Sequence, residues 1–159
     1  MLGFVSLTLN QPDVKFGKEV LIGLQTDIPE TNVELVDRLM IRAIDEIKKD
    51  DFRSARETYS RARSIYRNLG DIIGEGQVAL GLGDLERSAG QIQTSRANYS
   101  EAVGLFRQGG SSIWLSRTLV SLGDLENSES NEADARELYA EAIIEWNKSP
   151  HSNDSVEKI

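Results

Sequence analysis

Tyr59, Tyr99 and Tyr139 stand forty residues apart, and Ala62, Ala102 and Ala142, then Tyr66, Phe106 and Trp146, keep the same interval. A unit that recurs at such a spacing is too short to close a hydrophobic core alone. It must stack on its neighbours, and the chain becomes a solenoid in which each unit contacts only the adjacent ones. An architecture of this kind offers extended surface, so recognition without chemistry is the expected trade.

Within a unit the apolar spacing is helical. Val33, Leu35, Val36, Leu39, Met40, Ala43, Ile44 and Ile47 recur at three and four and predict a first helix over 33–47. Thr31 or Asn32 can cap it, and Glu34 complements its dipole. Asp50 and Asp51 break the stripe and offer a second cap. Phe52, Ala55, Tyr59, Ala62, Ile65, Tyr66 and Leu69 then draw a second helix that ends at Gly70. The same hairpin follows over 72–110 and 111–150, with inner turns at Ala89-Gly90-Gln91 and Ser128-Glu129-Ser130-Asn131. Six helices in three units, an all-α solenoid over 31–148, is the expected fold. Gly83 and Gly123 fall mid-helix where unit one has Ala43, and small residues there predict close approach of a neighbouring helix. Residues 1–30 escape the repeat and read as an arm, either a short hairpin or irregular. The polar segment 149–159 reads as a disordered tail.

With 39% hydrophobic and 28% charged residues and only three prolines, the composition is that of a helix-rich soluble domain. A net charge of -8 disfavours nucleic acid and anionic membrane as partners and favours basic or apolar protein surfaces. No cysteine is present, which removes thiol chemistry and thiolate metal sites. The opening MLGFVSLTLN has neither a basic leader nor a cleavage site, so the cytoplasm is the expected compartment. No phosphate loop, nucleophile elbow or HExxH pattern occurs, and GLGDLE lies inside a helical pattern, where its glycines serve packing. Neither an enzyme nor a cofactor is expected.

The strings LGLGDLERSAGQIQTSRANYSEAVGLF and LVSLGDLENSESNEADARELYAEAIIEW resemble tetratricopeptide repeats across 33–148. The matching features are Leu82-Gly83 and Leu122-Gly123 in the first helices, and Ala55-Tyr59-Ala62, Ser95-Tyr99-Ala102 and Ala135-Tyr139-Ala142 in the second. The forty-residue period is similar to the longer variety of G-protein-signalling modulators and other signalling regulators, which implies a right-handed solenoid used as a protein-binding scaffold or adaptor. The chain departs from the family in carrying Glu46, Glu86 and Glu126 where an aromatic is usual, alongside a column of Arg56, Arg96 and Arg136. These two columns form either a ladder of ion pairs, within or between units, or independent solvated charges.

The resemblance implies a concave groove lined by first helices. Its positions are Asp37, Met40, Ile44 and Ile47 in unit one, Gln77, Leu80, Asp84 and Arg87 in unit two, and Arg117, Val120, Asp124 and Asn127 in unit three. A Met40-Leu80-Val120 spine flanked by Asp84 and Asp124 would suit a peptide with apolar anchors and one or two basic residues. Alternatively the spine is inter-helix core and the aspartates are ordinary exposed helix residues. The family's clamp for acidic peptide tails is disfavoured, because only Arg117 has the required charge among Met40, Ile44, Gly81, Arg117 and Ser121. Trp146, in the Tyr66 and Phe106 column, is expected in the core. Trp114, where the other units have Glu34 and Gly74, is either core or a partner anchor. With no clear capping helix after Trp146, Ile143 and Ile144 are expected to be exposed and to mediate assembly, including homo-oligomerisation or docking onto other domains.

Overall fold

The computed structural model describes residues 31–149, so the expectations for the N-terminal arm and for 150–159 lie outside the described residues. Six helices follow one another: α1 (Asn32–Ile47), α2 (Phe52–Leu69), α3 (Ile72–Ser88), α4 (Ile92–Gly109), α5 (Ser112–Ser128) and α6 (Glu132–Lys148). They form three hairpins, α1-α2, α3-α4 and α5-α6, and the described residues contain no strand.

The turns share one chemistry. At each of the five the backbone N–H just past the helix reaches back to a carbonyl five residues earlier: Asp51 to Glu46, Asp71 to Tyr66, Gln91 to Glu86, Ser111 to Phe106 and Asn131 to Glu126, all at 2.7–3.0 Å. This closure needs a left-handed residue in between, which glycine adopts without a Cβ penalty. Gly70, Gly90 and Gly110 supply it with φ near 70°, while Asp50 and Ser130 adopt φ of 58° and 64° in the corresponding places. Of the two aspartates that break the first stripe, therefore, Asp50 makes the turn. Asp51 is the cap, its side chain accepting from the Ser54 N–H at 3.1 Å.

Stacking completes the core. The first helix of each later unit rests on both helices of the unit before it, α3 on α1 and α2, α5 on α3 and α4. Val78 and Leu85 of α3 thus join Val36, Leu39, Tyr59 and Tyr66 in one buried cluster. Leu115, Leu119, Leu122 and Leu125 of α5 likewise join Leu80, Tyr99, Val103 and Phe106 in the next. Within the second and third hairpins the approach is close at Gly83 and Gly123. A methyl group on Gly83 would sit 2.4 Å from the Tyr99 ring, and one on Gly123 would sit 2.6 Å from Tyr139. The tyrosines of units two and three therefore occupy the space of the side chain that the partner helix lacks.

Candidate functional site: the first-helix face and the end of the third unit

The Glu and Arg columns form rungs between units. Arg56 of α2 grips Glu86 of α3 through two hydrogen bonds of 2.7 Å. Arg96 of α4 grips Glu126 of α5 at 2.5 and 3.0 Å. Both glutamates are buried, at 5% and 6% exposure, so solvated independent charges do not describe them. The Arg96 guanidinium, and then the Asn131 amide, hold the Glu126 carboxyl below its ordinary range against the opposing effect of burial. The pattern stops at the ends of the array. Arg136, with no following unit described, pairs with Glu132 on its own helix. Glu46 pairs with Arg42 and accepts from Thr58.

The positions expected to line a groove fall into two groups. Asp37, Ile44, Arg87, Arg117, Val120, Asp124 and Asn127 are exposed, and Met40, Gln77 and Asp84 are half-buried. Leu80, however, is only 4% exposed and lies in the second core cluster, so the Met40-Leu80-Val120 spine is interrupted. Leu80 is covered because α5 packs over it, whereas Val120, one unit later, has no such cover and is 42% exposed. Asp84 and Asp124 are tied into their own units: the Tyr99 hydroxyl donates to Asp84 at 2.6 Å and the Tyr139 hydroxyl to Asp124 at 2.7 Å. Each phenol is kept neutral by its site. For Tyr99 burial dominates and the Asp84 contact adds to it, and for Tyr139 the Asp124 hydrogen bond leads. In unit one Ile44 replaces the aspartate, and Tyr59, buried and near Asp84, has its pKa pushed up to about 12.

The tryptophans reverse one expectation. Trp146 is 48% exposed and not core. Its column becomes core only when a following first helix closes over it, as α3 brings Gly74 against Tyr66 and α5 brings Trp114 against Phe106. Trp114 packs into the molecule, stacked on Phe106 at 6.0 Å with the Arg117 guanidinium 5.3 Å above its ring. Ile143 and Ile144 are 62% and 56% exposed.

Together these residues form a site that single-residue reasoning did not assemble. Between α5 and α6 lies an open apolar pocket of about 650 Å³, lined by Ile113, Ser116, Arg117, Val120, Ser121, Tyr139, Ala142, Ile143 and Trp146. Shifted back forty residues, the lining becomes Ile73, Gly76, Gln77, Leu80, Gly81, Tyr99, Ala102, Val103 and Phe106. That is the seat in which α5 rests. The signal was present in the repeat register, had the contact made by each unit been projected onto the last one. The opposite end differs: a depression of about 810 Å³ beside α1 is lined by Arg38, Arg42, Asp45, Glu46, Lys49 and Arg61, among others. Among the described residues no group of three or more His, Cys, Asp or Glu is placed to hold a metal ion. Nor is any described helix long and apolar enough to cross a membrane.

Comparison with known proteins supports the architecture. The crystal structure of the TPR domain of Arabidopsis FLU superposes with a TM-score of 0.64 at 13% identity, covering 75% of this chain and 100% of that one. The solenoid therefore has a tetratricopeptide-repeat-like fold, and at that identity the likeness concerns fold alone. No protein-family model matches the sequence, and no curated protein matches it at a significant level.

Proposed function

We propose that this chain is a non-catalytic protein-interaction module whose first-helix face takes a peptide or partner helix with apolar and basic residues. The observation that carries this is the pair Asp84 and Asp124. Each is oriented by a tyrosine hydroxyl on one oxygen, at the same position of successive units, with the exposed Arg117 and Val120 one to two turns before Asp124 on α5. A fixed carboxylate loses less conformational entropy on binding a cation than a free one, which favours Lys or Arg at a repeat-length spacing.

The test is an array of peptides that set Lys or Arg against hydrophobic anchors, probed with the wild-type chain and with an Asp84→Asn, Asp124→Asn variant. Asparagine keeps an acceptor for each tyrosine and removes only the charge. The expected result is binding that weakens with salt and is lost in the variant. Equal binding by both proteins refutes the acidic face as the selector. The exposure of Ile143, Ile144 and Trp146 favours a second role for the same module, assembly through the end of the array.

A further inference from the structure

The pocket between α5 and α6 is a seat that the molecule itself fills in each earlier unit, with α3 against unit one and α5 against unit two. We infer that the end of the third unit is a docking site for a partner's amphipathic helix, bound in the register of a first repeat helix, with a glutamate that closes on Arg136. This inference rests on the assembly role of the exposed end and does not require the Asp84 and Asp124 carboxylates, although Arg117 and Val120 belong to both surfaces.

The occupant's chemistry follows from how α5 fills the equivalent seat. Trp114 stacks on Phe106; Leu115, Leu119 and Leu122 lie in the buried cluster that also holds Leu80, Tyr99 and Val103 of α3 and α4; and Glu126, twelve residues after Trp114, is gripped by Arg96. α3 repeats the ion pair against unit one, with Glu86 gripped by Arg56, and contributes Val78, Leu82 and Leu85 to the unit-one core. On α6 the corresponding arginine is Arg136, whose side chain is 77% exposed and paired with Glu132 one turn away. The apolar floor is kept and enlarged: Val103 becomes Ile143 and Phe106 becomes Trp146. A helix with apolar residues at i, i+1, i+5 and i+8 and Glu at i+12 meets both the floor and the arginine.

Two occupants from this chain fit less well. In the face that α1 would present head-to-tail from a second copy, Arg38 and Arg42 stand where α3 has Val78 and Leu82 and α5 has Thr118 and Leu122. Two guanidiniums would have to be desolvated against Trp146 and Ile143, which opposes the contact. The sequence after α6 places Asn153, Asp154 and Ser155 where Ile113, Trp114 and Leu115 stand, so in the repeat register it lacks the apolar residues that open the stripe.

The probe is a labelled synthetic peptide of residues 112–128, titrated by fluorescence anisotropy into the full chain. The wild type is expected to bind it. Ile143→Asp, at a position already exposed and so compatible with folding as checked by circular dichroism, is expected to abolish binding. Arg136→Glu should weaken it about tenfold, and a peptide carrying Glu126→Arg should recover the loss on that variant alone. The Asp84→Asn, Asp124→Asn variant should bind as the wild type does. No binding by the wild type, equal binding by Ile143→Asp, no rescue by the charge swap, or loss in the aspartate variant would overturn the proposal. So would a wild-type dimer in sedimentation that Ile143→Asp dissociates, because a second copy would then hold the seat.

Discussion

Replacing Arg96 with alanine removes one side of a part-buried ion pair and leaves the Glu126 carboxylate under α4 with Asn131 as its remaining side-chain donor. Removing one partner of a fully buried pair costs about 3 to 5 kcal/mol, whereas an exposed pair is worth about 0 to 1 kcal/mol. Here the glutamate side chain is 8% exposed and the arginine 29%. Solvent reaches the guanidinium, and Asn131 still donates at 2.7 Å, so a loss of about 2 kcal/mol is expected, between the two limits. Urea unfolding at neutral pH reads it as a lower midpoint with an unchanged slope. The same substitution at Arg136 is an internal control. Its pair with Glu132 lies on the surface, with the side chains 77% and 70% exposed, and its loss should cost about 0.5 kcal/mol or less.

Acid adds a second readout. The wild-type Glu126 carboxyl is held below the ordinary 4.5 in the folded state. Its contribution is therefore complete above that ordinary value and lost as pH falls through the folded one. In Arg96→Ala the remaining burial raises the folded value, so protonation relieves the variant while it weakens the wild type. The stability gap at neutral pH should shrink at about pH 3. A gap that is absent, or unchanged in acid, would refute the claim that the rung acts through a desolvated carboxylate.

Two further outcomes follow from packing. Gly83→Ala should destabilise by about 1 to 3 kcal/mol despite alanine's helix propensity, because the new methyl meets the Tyr99 ring. Gly104→Ala, whose methyl meets nothing within 4 Å, should stabilise by up to about 1 kcal/mol. Thermal unfolding gives the two signs, and a shared sign would refute the contact. Phe106→Ala should cost about 3 to 5 kcal/mol, since Phe106 is fully buried against Gly76 and Trp114. Trp146→Ala, in the same column but 48% exposed, should cost less than about 1.5 kcal/mol. Comparable losses in urea unfolding would mean that Trp146 is covered after all.

The helices, their turns and the three-unit order were legible in the residues because local physics decides them. Apolar spacing at three and four marks each helix, and Gly70, Gly90 and Gly110 mark turns that need a left-handed residue. Asp50 and Ser130 stand at the same turn positions in the forty-residue register, but the residues alone left Asp50 and Asp51 undivided between turn and cap. The small residue opposite each tyrosine could also be read, since Gly83 and Gly123 have no reason to stand mid-helix except close approach.

Burial of a repeated column was a different matter. Leu80 and Val120, Val103 and Ile143, and Phe106 and Trp146 are equivalent pairs by sequence, yet the first of each pair is buried and the second exposed. The same holds for Arg96, which finds Glu126 of the next unit, and Arg136, which among the described residues pairs within its own helix. The sequence by itself determined the unit, because a helical hairpin is specified by its own residues. Only the tertiary structure decided which units are covered, because in a solenoid the burial of a side chain depends on the neighbour that follows.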